Sequence, residues 1–568
     1  MTNRADEADL DGFLLRQRRG RGVPTATLQP SLPRAMINGR SPSEPAMHSH
    51  STKLLRAMLA VLLMVIAGTA IAGPLEDALA AHDRGDDATA LRLIRPLADQ
   101  GNADAQYTLG NMYATGQGVL KNGAEAAKWF RLAADQGYAP AKYNLGVLFG
   151  SGWGVPQNYG EAAKWYRLAA DQGDANAQYN LGVMYQRGDG VTQNYAEAMK
   201  WFHLAADQGH APAQYNLGVL FANGRGVPQN DAEAIHWYRL AAAQGDADAQ
   251  YSLGRRYYIG DGIAKNYSEA MKWFQLAADQ GHAGAQGALG VMYSLGQGVP
   301  QNDTEALKWL RLAADQGNAE GQFNLGVMYE HGDGVPQNNG EALKWYQLAA
   351  NQEDARGQFN LGVMYRDGKG VPKNYAEAIK WFGRAANQGN ASAQYNLGVM
   401  YAEGQGMPQD YGEALKWYHL AADQRYAEAQ YNLGVMYAEG RGVPQNYTEA
   451  MKWYRLAADQ GYAEAQVNLG MMYYNGGQGV PRDYAEAARW FDLAADQGNA
   501  YAQNNLGLMY AQGQGVPQDI LRAHVWFNLS ATQGHQDAVR NREIAERRMT
   551  PTQIAEAQKL ARDWKPKR

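Results

Sequence analysis

The sequence predicts an all-α fold, an α/α solenoid of about twelve helix–turn–helix repeats with capping helices at both ends. Three observations carry this. A Leu-Gly pair recurs at Leu109, Leu145, Leu181, Leu217, Leu253, Leu289, Leu325, Leu361, Leu397, Leu433, Leu469 and Leu506, every 36 residues with a single step of 37. The same phrase surrounds each anchor and is written most fully at Ala427–Gly461: Ala-x-Ala-Gln-Tyr-Asn-Leu-Gly-Val-Met-Tyr, Gly-x-Gly-Val-Pro-Gln-Asn-Tyr, then Glu-Ala-x-Lys-Trp-Tyr-x-Leu-Ala-Ala-Asp-Gln-Gly. Twelve of the 14 tryptophans hold one position of that phrase. A fixed period of roughly 20–50 residues marks a repeat architecture.

The N-terminus comes first. Lys53 and Arg56 precede an apolar run from Ala57 to Ala67, and Ala70 and Ala72 place small residues where a signal peptidase reads them. Residues 47–72 therefore read as a secretory signal peptide; the competing reading is a short uncleaved anchor. Residues 1–46 are rich in Arg, Pro and Ser without apolar periodicity. They read as an unstructured stretch upstream of a start at Met47. From Leu75 to Gln100 helical apolar spacing is broken by Gly85, which predicts a degenerate capping helix pair over residues 73–101.

Twelve repeats are expected over residues 102–534. In the copy from Ala139 to Gly173, Ala141, Leu145, Leu148 and Phe149 share one face of a first helix, helix A, with Lys142 at its edge. Most copies have Gln at that edge, which is expected to reach water. Tyr143, Asn144, Val147 and Gly150 share the other face. Gly146 costs about 1 kcal/mol against Ala in mid-helix, which close approach of another helix explains. Gly152-Trp153-Gly154-Val155-Pro156 breaks the helix, and Asn158 with Glu161 forms a cap of the capping-box type for helix B. The pair recurs at this spacing in eleven of the twelve copies and is lost in the last, where Arg522 stands. In helix B, Ala162, Trp165, Leu168 and Ala169 share the face expected to be buried, and Gly173 closes the helix.

These motifs carry a resemblance. Ala-x-x-x-Leu-Gly-x-Met-Tyr, Gly-x-Gly-Val and Ala-x-x-Trp-Tyr-x-x-Ala-Ala-x-Gln-Gly resemble the Sel1-like repeat (SLR) family, of the tetratricopeptide-repeat-like superfamily, over about Ala103 to Gly534. The resemblance implies repeats stacked into a right-handed superhelix with helix A lining its concave surface. After the repeats, Thr550 with Gln553 and Pro551 opens a capping helix that should run to about Trp564, within a C-terminal cap of residues 535–568. Similar tails end exported bacterial members of the family.

Signals for chemistry are few. The formal net charge is −5, and residues 73–568 hold 43 basic against 52 acidic side chains, which gives no support for nucleic acid as a partner. With no cysteine, thiol nucleophiles, thiolate metal sites and disulfides are excluded. The eleven histidines are scattered without ligand spacing. No catalytic, cofactor-binding or metal residue is assigned, and no cofactor is expected.

The informative surface is the second face of helix A. Aromatic residues recur there at Tyr143, Tyr179, Tyr215, Tyr251, Phe323, Phe359, Tyr395 and Tyr431, followed by Asn144, Asn180, Asn216, Asn324, Asn360, Asn396 and Asn432. By similarity to tetratricopeptide grooves, the amides would bond an extended peptide's backbone while the rings pack its side chains. The alternative is that the rings pack between helices and the amides satisfy each other. Arg255 and Arg256 replace Val and Met in the fifth repeat, either as an anchor for a carboxylate or as one surface and one snorkelling arginine. Glu353 and Arg425 replace the helix-ending glycine, which predicts local backbone strain or altered curvature.

The sequence thus predicts an exported, non-enzymatic interaction scaffold, periplasmic or secreted. It would bind an extended protein or peptide in its concave groove and keep no membrane span after signal cleavage. The second reading is a cell-envelope enzyme or polysaccharide-binding protein acting on cell-wall or exopolysaccharide material, which requires a convergent acid/base set in one pocket.

Overall fold

The computed structural model describes residues 73–477 and 479–566; the signal-peptide reading and the residues ahead of it fall outside these. Among the described residues there are 28 helices, and strand-like pairing is confined to the isolated bridge Gly477–Val480 in the one lengthened loop. The described residues form two compact units, divided between Ala277 and Ala278. Within each, helix pairs stack in chain order, successive helices packing on one another, except that the last helix, Pro551–Asp563, packs on Ile520–Thr532 and not on the helix just before it.

The second repeat shows why the phrase folds as it does. Helix A runs Ala139–Ser151 and stops at Gly152, whose φ of 74° suits glycine and whose N–H donates to the Leu148 carbonyl. Helix B runs Tyr159–Ala170, and the Asn158 side chain accepts from the Glu161 N–H. The expected capping box is only half present, because Glu161 does not return to the cap. The cap's own N–H already donates to the Phe149 carbonyl of helix A at 2.8 Å, so nothing is left for Glu161 to satisfy. Glu161 pairs with Lys164 instead. In the last repeat Asp519 still caps, accepting from the N–H of Arg522.

Two glycines are required by contacts. A Cβ on Gly146 would lie 2.5 Å from Cδ1 of Tyr166, so helix A meets the helix-B aromatic of its own repeat. A Cβ on Gly154 would come within 2.0 Å of the Gly123 carbonyl carbon, which seats the inter-helix loop on the start of the preceding helix B.

The edge glutamine does not reach water. Gln178 is only 4% exposed, and its Nε2 donates to the Ala170 carbonyl at the end of the preceding helix B, which also accepts from the Gly173 N–H. Its Oε1 accepts from Gln208 at the end of the following helix B, at 2.8 Å. The same two-bond relay passes through Gln214, Gln322, Gln358, Gln394, Gln430, Gln466 and Gln503. A buried amide is tolerated because both its ends are paired. Lys142 breaks the pattern in the second repeat, donating to Gln172.

The core at each junction is small and dense. Ala126, Phe130 and Ala133 of one helix B, Leu145 and Leu148 of the next helix A, and Trp165 beyond it form one cluster. Seven of the twelve repeat tryptophans are buried and five are half-buried. Leu168 departs from expectation: it is 46% exposed. It leads an exposed column with Leu132, Leu204, Leu240, Leu276 and Leu312, on the side of helix B turned from the neighbouring pair.

At the ends, Pro74–Asp83 and Asp87–Asp99 precede the first repeat. Two helices, not one, follow the last: Gln536–Glu546, capped by His535, and Pro551–Asp563, with a complete Thr550/Gln553 capping box. The first was missed because its sequence has almost no apolar periodicity. It is held by polar contacts, His524 to Glu546 at 3.0 Å and Asn541 to Asn504 at 2.9 Å.

Candidate functional site

Helix A positions the candidate face by its register. Gln178, Tyr179 and Asn180 are consecutive, so a 100° step per residue turns the glutamine into the junction and the next two away from it. All the candidate residues are half-buried except Phe323, which is buried and therefore no groove residue; the Arg356 guanidinium lies 4.5 Å from its ring centroid.

Each ring packs on the helix-B aromatic of its own repeat. Tyr143 meets Tyr166, Tyr179 meets Phe202, Tyr215 meets Tyr238, Tyr251 meets Phe274, Phe359 meets Phe382, Tyr395 meets Tyr418 and Tyr431 meets Tyr454, at 5.8–6.0 Å between centroids. The asparagines link repeats. Asn180 lies beside the hydroxyls of Tyr143 and Tyr166, Asn216 beside that of Tyr179, Asn360 beside that of Tyr346, and Asn432 beside those of Tyr395 and Tyr418. Asn216, Asn324 and Asn396 also donate to carbonyls of their own helix, and Asn144 donates to Asn111. The row is thus part of the scaffold, yet its members are half-exposed. Burial raises the hydroxyl pKa of Tyr143, Tyr179, Tyr215, Tyr395 and Tyr431.

The two arginines of the fifth repeat behave differently. Arg256 occupies a core methionine's place and is buried, its charge matched by Asp231 at 2.8 Å and Asp261 at 3.0 Å. Arg255 is half-buried on the face. Glu353 and Arg425 have φ of 65° and 64°, the only non-glycine residues at positive φ among those described, so the strain expected there is present.

A second remodelled stretch was not read from the sequence. Glu330 accepts from the buried Tyr346 hydroxyl at 2.8 Å and pairs with Lys369, while Arg366 binds Asp367 and Asn396. Arg366 holds the Asp367 carboxyl below its ordinary range. Glu330 and Arg366 occupy a column that elsewhere carries Ala402 and Ala438, and inspecting that column would have found them.

Chemistry needing a convergent acid and base has little to build on. The carboxyls with resolved shifts, Asp86 and Asp367, are both lowered, and neither is poised as a general acid at neutral pH. Among the described residues no group of three or more His, Cys, Asp and Glu side chains is placed to hold a metal, and no helix is long and apolar enough to cross a membrane.

The comparisons agree with this architecture. The Sel1 repeat matches twelve times in succession, from residues 103–138 to residues 500–535. The chain is similar to the crystal structure of a protective antigen present in uropathogenic Escherichia coli strains and displaying an SLR fold: 36% identity, TM-score 0.65, 77% of this chain and 94% of that one. It is also similar to a Sel1 repeat protein from Oxalobacter formigenes, at 36% identity, TM-score 0.42, 54% of this chain and 89% of that one. No curated protein matches. The chain belongs to the Sel1 repeat family, an all-α solenoid of the TPR-like superfamily whose members generally serve as protein–protein interaction scaffolds.

Proposed function

We propose that the protein is an exported, non-enzymatic scaffold whose helix-A face binds an extended polypeptide partner. The observation that carries this is the recurrence of half-exposed aromatic–asparagine pairs at one position of helix A in repeats 2–4 and 8–10. An extended chain meets repeated side chains at regular intervals, and asparagine offers it donor and acceptor together. Export is supported by the signal-like segment at 47–72 and by a relative that is a protective antigen.

Photo-crosslinking tests the surface. A crosslinking residue at Val435, on the helix-A face, should capture a polypeptide from envelope fractions, and one at Leu456, on helix B, should not. Capture at Leu456 alone would move the interface to the other side. Sequencing the native N-terminus tests export: a start at Gly73 is expected, and peptides from before Met47 contradict the proposed start.

A further inference from the structure

We propose that repeats 9–11 of the helix-A face, residues 391–499, dock a cationic polypeptide segment rich in Lys or Arg; this rests on the helix-A reading above. Two kinds of cation-attracting group converge there. The first is aromatic. Tyr395 packs on Tyr426 at 5.2 Å and Tyr431 on Tyr462 at 5.2 Å, with Tyr418 and Tyr454 behind at 6.0 and 5.8 Å. Six tyrosines thus cluster within two repeats, Tyr418 and Tyr454 buried and the other four half-buried, and the negative face of an aromatic ring attracts ammonium and guanidinium groups.

The second is carboxylate. Glu428 and Glu464 are the second residues of helices Ala427–Glu439 and Ala463–Asn475, at the start of each helix beside the tyrosines. Glu403 and Glu439 end helices Ala391–Glu403 and Ala427–Glu439. Tyr395 lies within electrostatic reach of Glu428 and Glu403, and Tyr431 of Glu464 and Glu439, so carboxylates bracket the row from both sides. Glu439 is paired with Arg441, and Glu403 accepts from Gln405. Glu428 and Glu464 have neither an ion pair nor a hydrogen bond among the described residues, although Glu464 is exposed and Glu428 half-buried.

The rest of the face differs. The column of Glu428 and Glu464 carries Pro140, Asn176 and Pro212 in repeats 2–4. Asp104, Asp248 and Glu320 in repeats 1, 5 and 7 stand singly, so only repeats 10 and 11 place carboxylates there in succession. Arg187 and Arg255 supply positive charge in repeats 3 and 5. Charge complementarity therefore directs a cationic segment to repeats 9–11. Packed helical layers lie roughly 10 Å apart, and an extended chain advances about 3.3 Å per residue. A basic residue at every third position would bring one cation to each repeat.

The test uses the full chain and three labelled peptides of equal length carrying Lys, Gln or Glu at every third position, followed by fluorescence anisotropy. The Lys peptide should bind, and Glu428→Gln with Glu464→Gln should weaken it at least tenfold. The charge-matched control, Glu413→Gln with Glu449→Gln on helix B, should leave it unchanged. Equal weakening by both double variants would show attraction to net charge alone and overturn the proposal. So would no binding of the Lys peptide, or a glucosamine polymer binding where that peptide does not. Tighter binding of the Gln or Glu peptide also overturns it. The helix-A reading is decided separately by the crosslink at Val435.

Discussion

Gln430 and Asn432 stand two residues apart on one helix, recur with the same period, and do different things. Gln430 is buried with both ends of its amide paired, to the Ala422 carbonyl and to Gln460. Asn432 is half-exposed, beside the Tyr395 and Tyr418 hydroxyls while still facing solvent. The lesson is that periodicity alone does not distinguish scaffold from binding surface. What separates the two columns is burial and whether hydrogen-bonding capacity remains for something outside the chain.

That contrast can be broken from the scaffold side first. Trp201→Ala removes a ring that is 5% exposed in the middle of a junction cluster and should cost about 3–5 kcal/mol in denaturant unfolding. Gln322→Ala removes two hydrogen bonds, one to the Ala314 carbonyl, which keeps its bond from the Gly317 N–H, and one from the exposed Gln352. At about 0.5–1.5 kcal/mol for each bond it should cost about 1–3 kcal/mol. A loss below about 0.5 kcal/mol would show that the glutamine relay is incidental. Lys142→Gln runs the other way: it restores the relay where it is interrupted and should stabilise by about 0.5–1.5 kcal/mol.

The tyrosine row gives the smallest effect near neutrality. Burial pushes the Tyr462 hydroxyl up to about 12, as it does that of Tyr138, from an ordinary 10.0. A raised tyrosine favours the folded state while it stays protonated. Its contribution is complete below pH 10 and is lost as pH rises through about 12. Melting temperature should therefore stay level up to about pH 10 as far as these groups are concerned, then fall together with the appearance of phenolate absorbance. Ionisation of all tyrosines at the ordinary value, without loss of structure, would contradict the packing described for them.

Most of the fold was legible in the sequence, because the repeat prints each physical device twelve times. Asn158 caps helix B, Gly152 and Gly173 end helices at positive φ, and Gly146 admits the Tyr166 ring. What escaped depends on residues about 30 positions away, which a single-helix wheel does not contain. Gln178 looks like an edge residue until Gln208 of the next helix B is placed against it. Leu168 looks like core until the neighbouring pair is seen to leave its side of helix B uncovered. The face was legible as a pattern, whereas the burial of Phe323 under Arg356 and the Glu330–Tyr346–Lys369 linkage depend on the particular side chains of adjoining repeats.

The most direct test is to measure thermal unfolding and retention of the crosslinked envelope partner side by side for Gln430→Ala and Asn432→Ala. Gln430→Ala, which loses two hydrogen bonds, is predicted to lower stability by about 1–3 kcal/mol and to leave partner affinity in the folded protein unchanged. Asn432→Ala is predicted to cost at most about 1 kcal/mol while weakening the partner at least tenfold. The opposite result, with affinity following Gln430 and indifferent to Asn432, would contradict the assignment of the helix-A face as the binding surface.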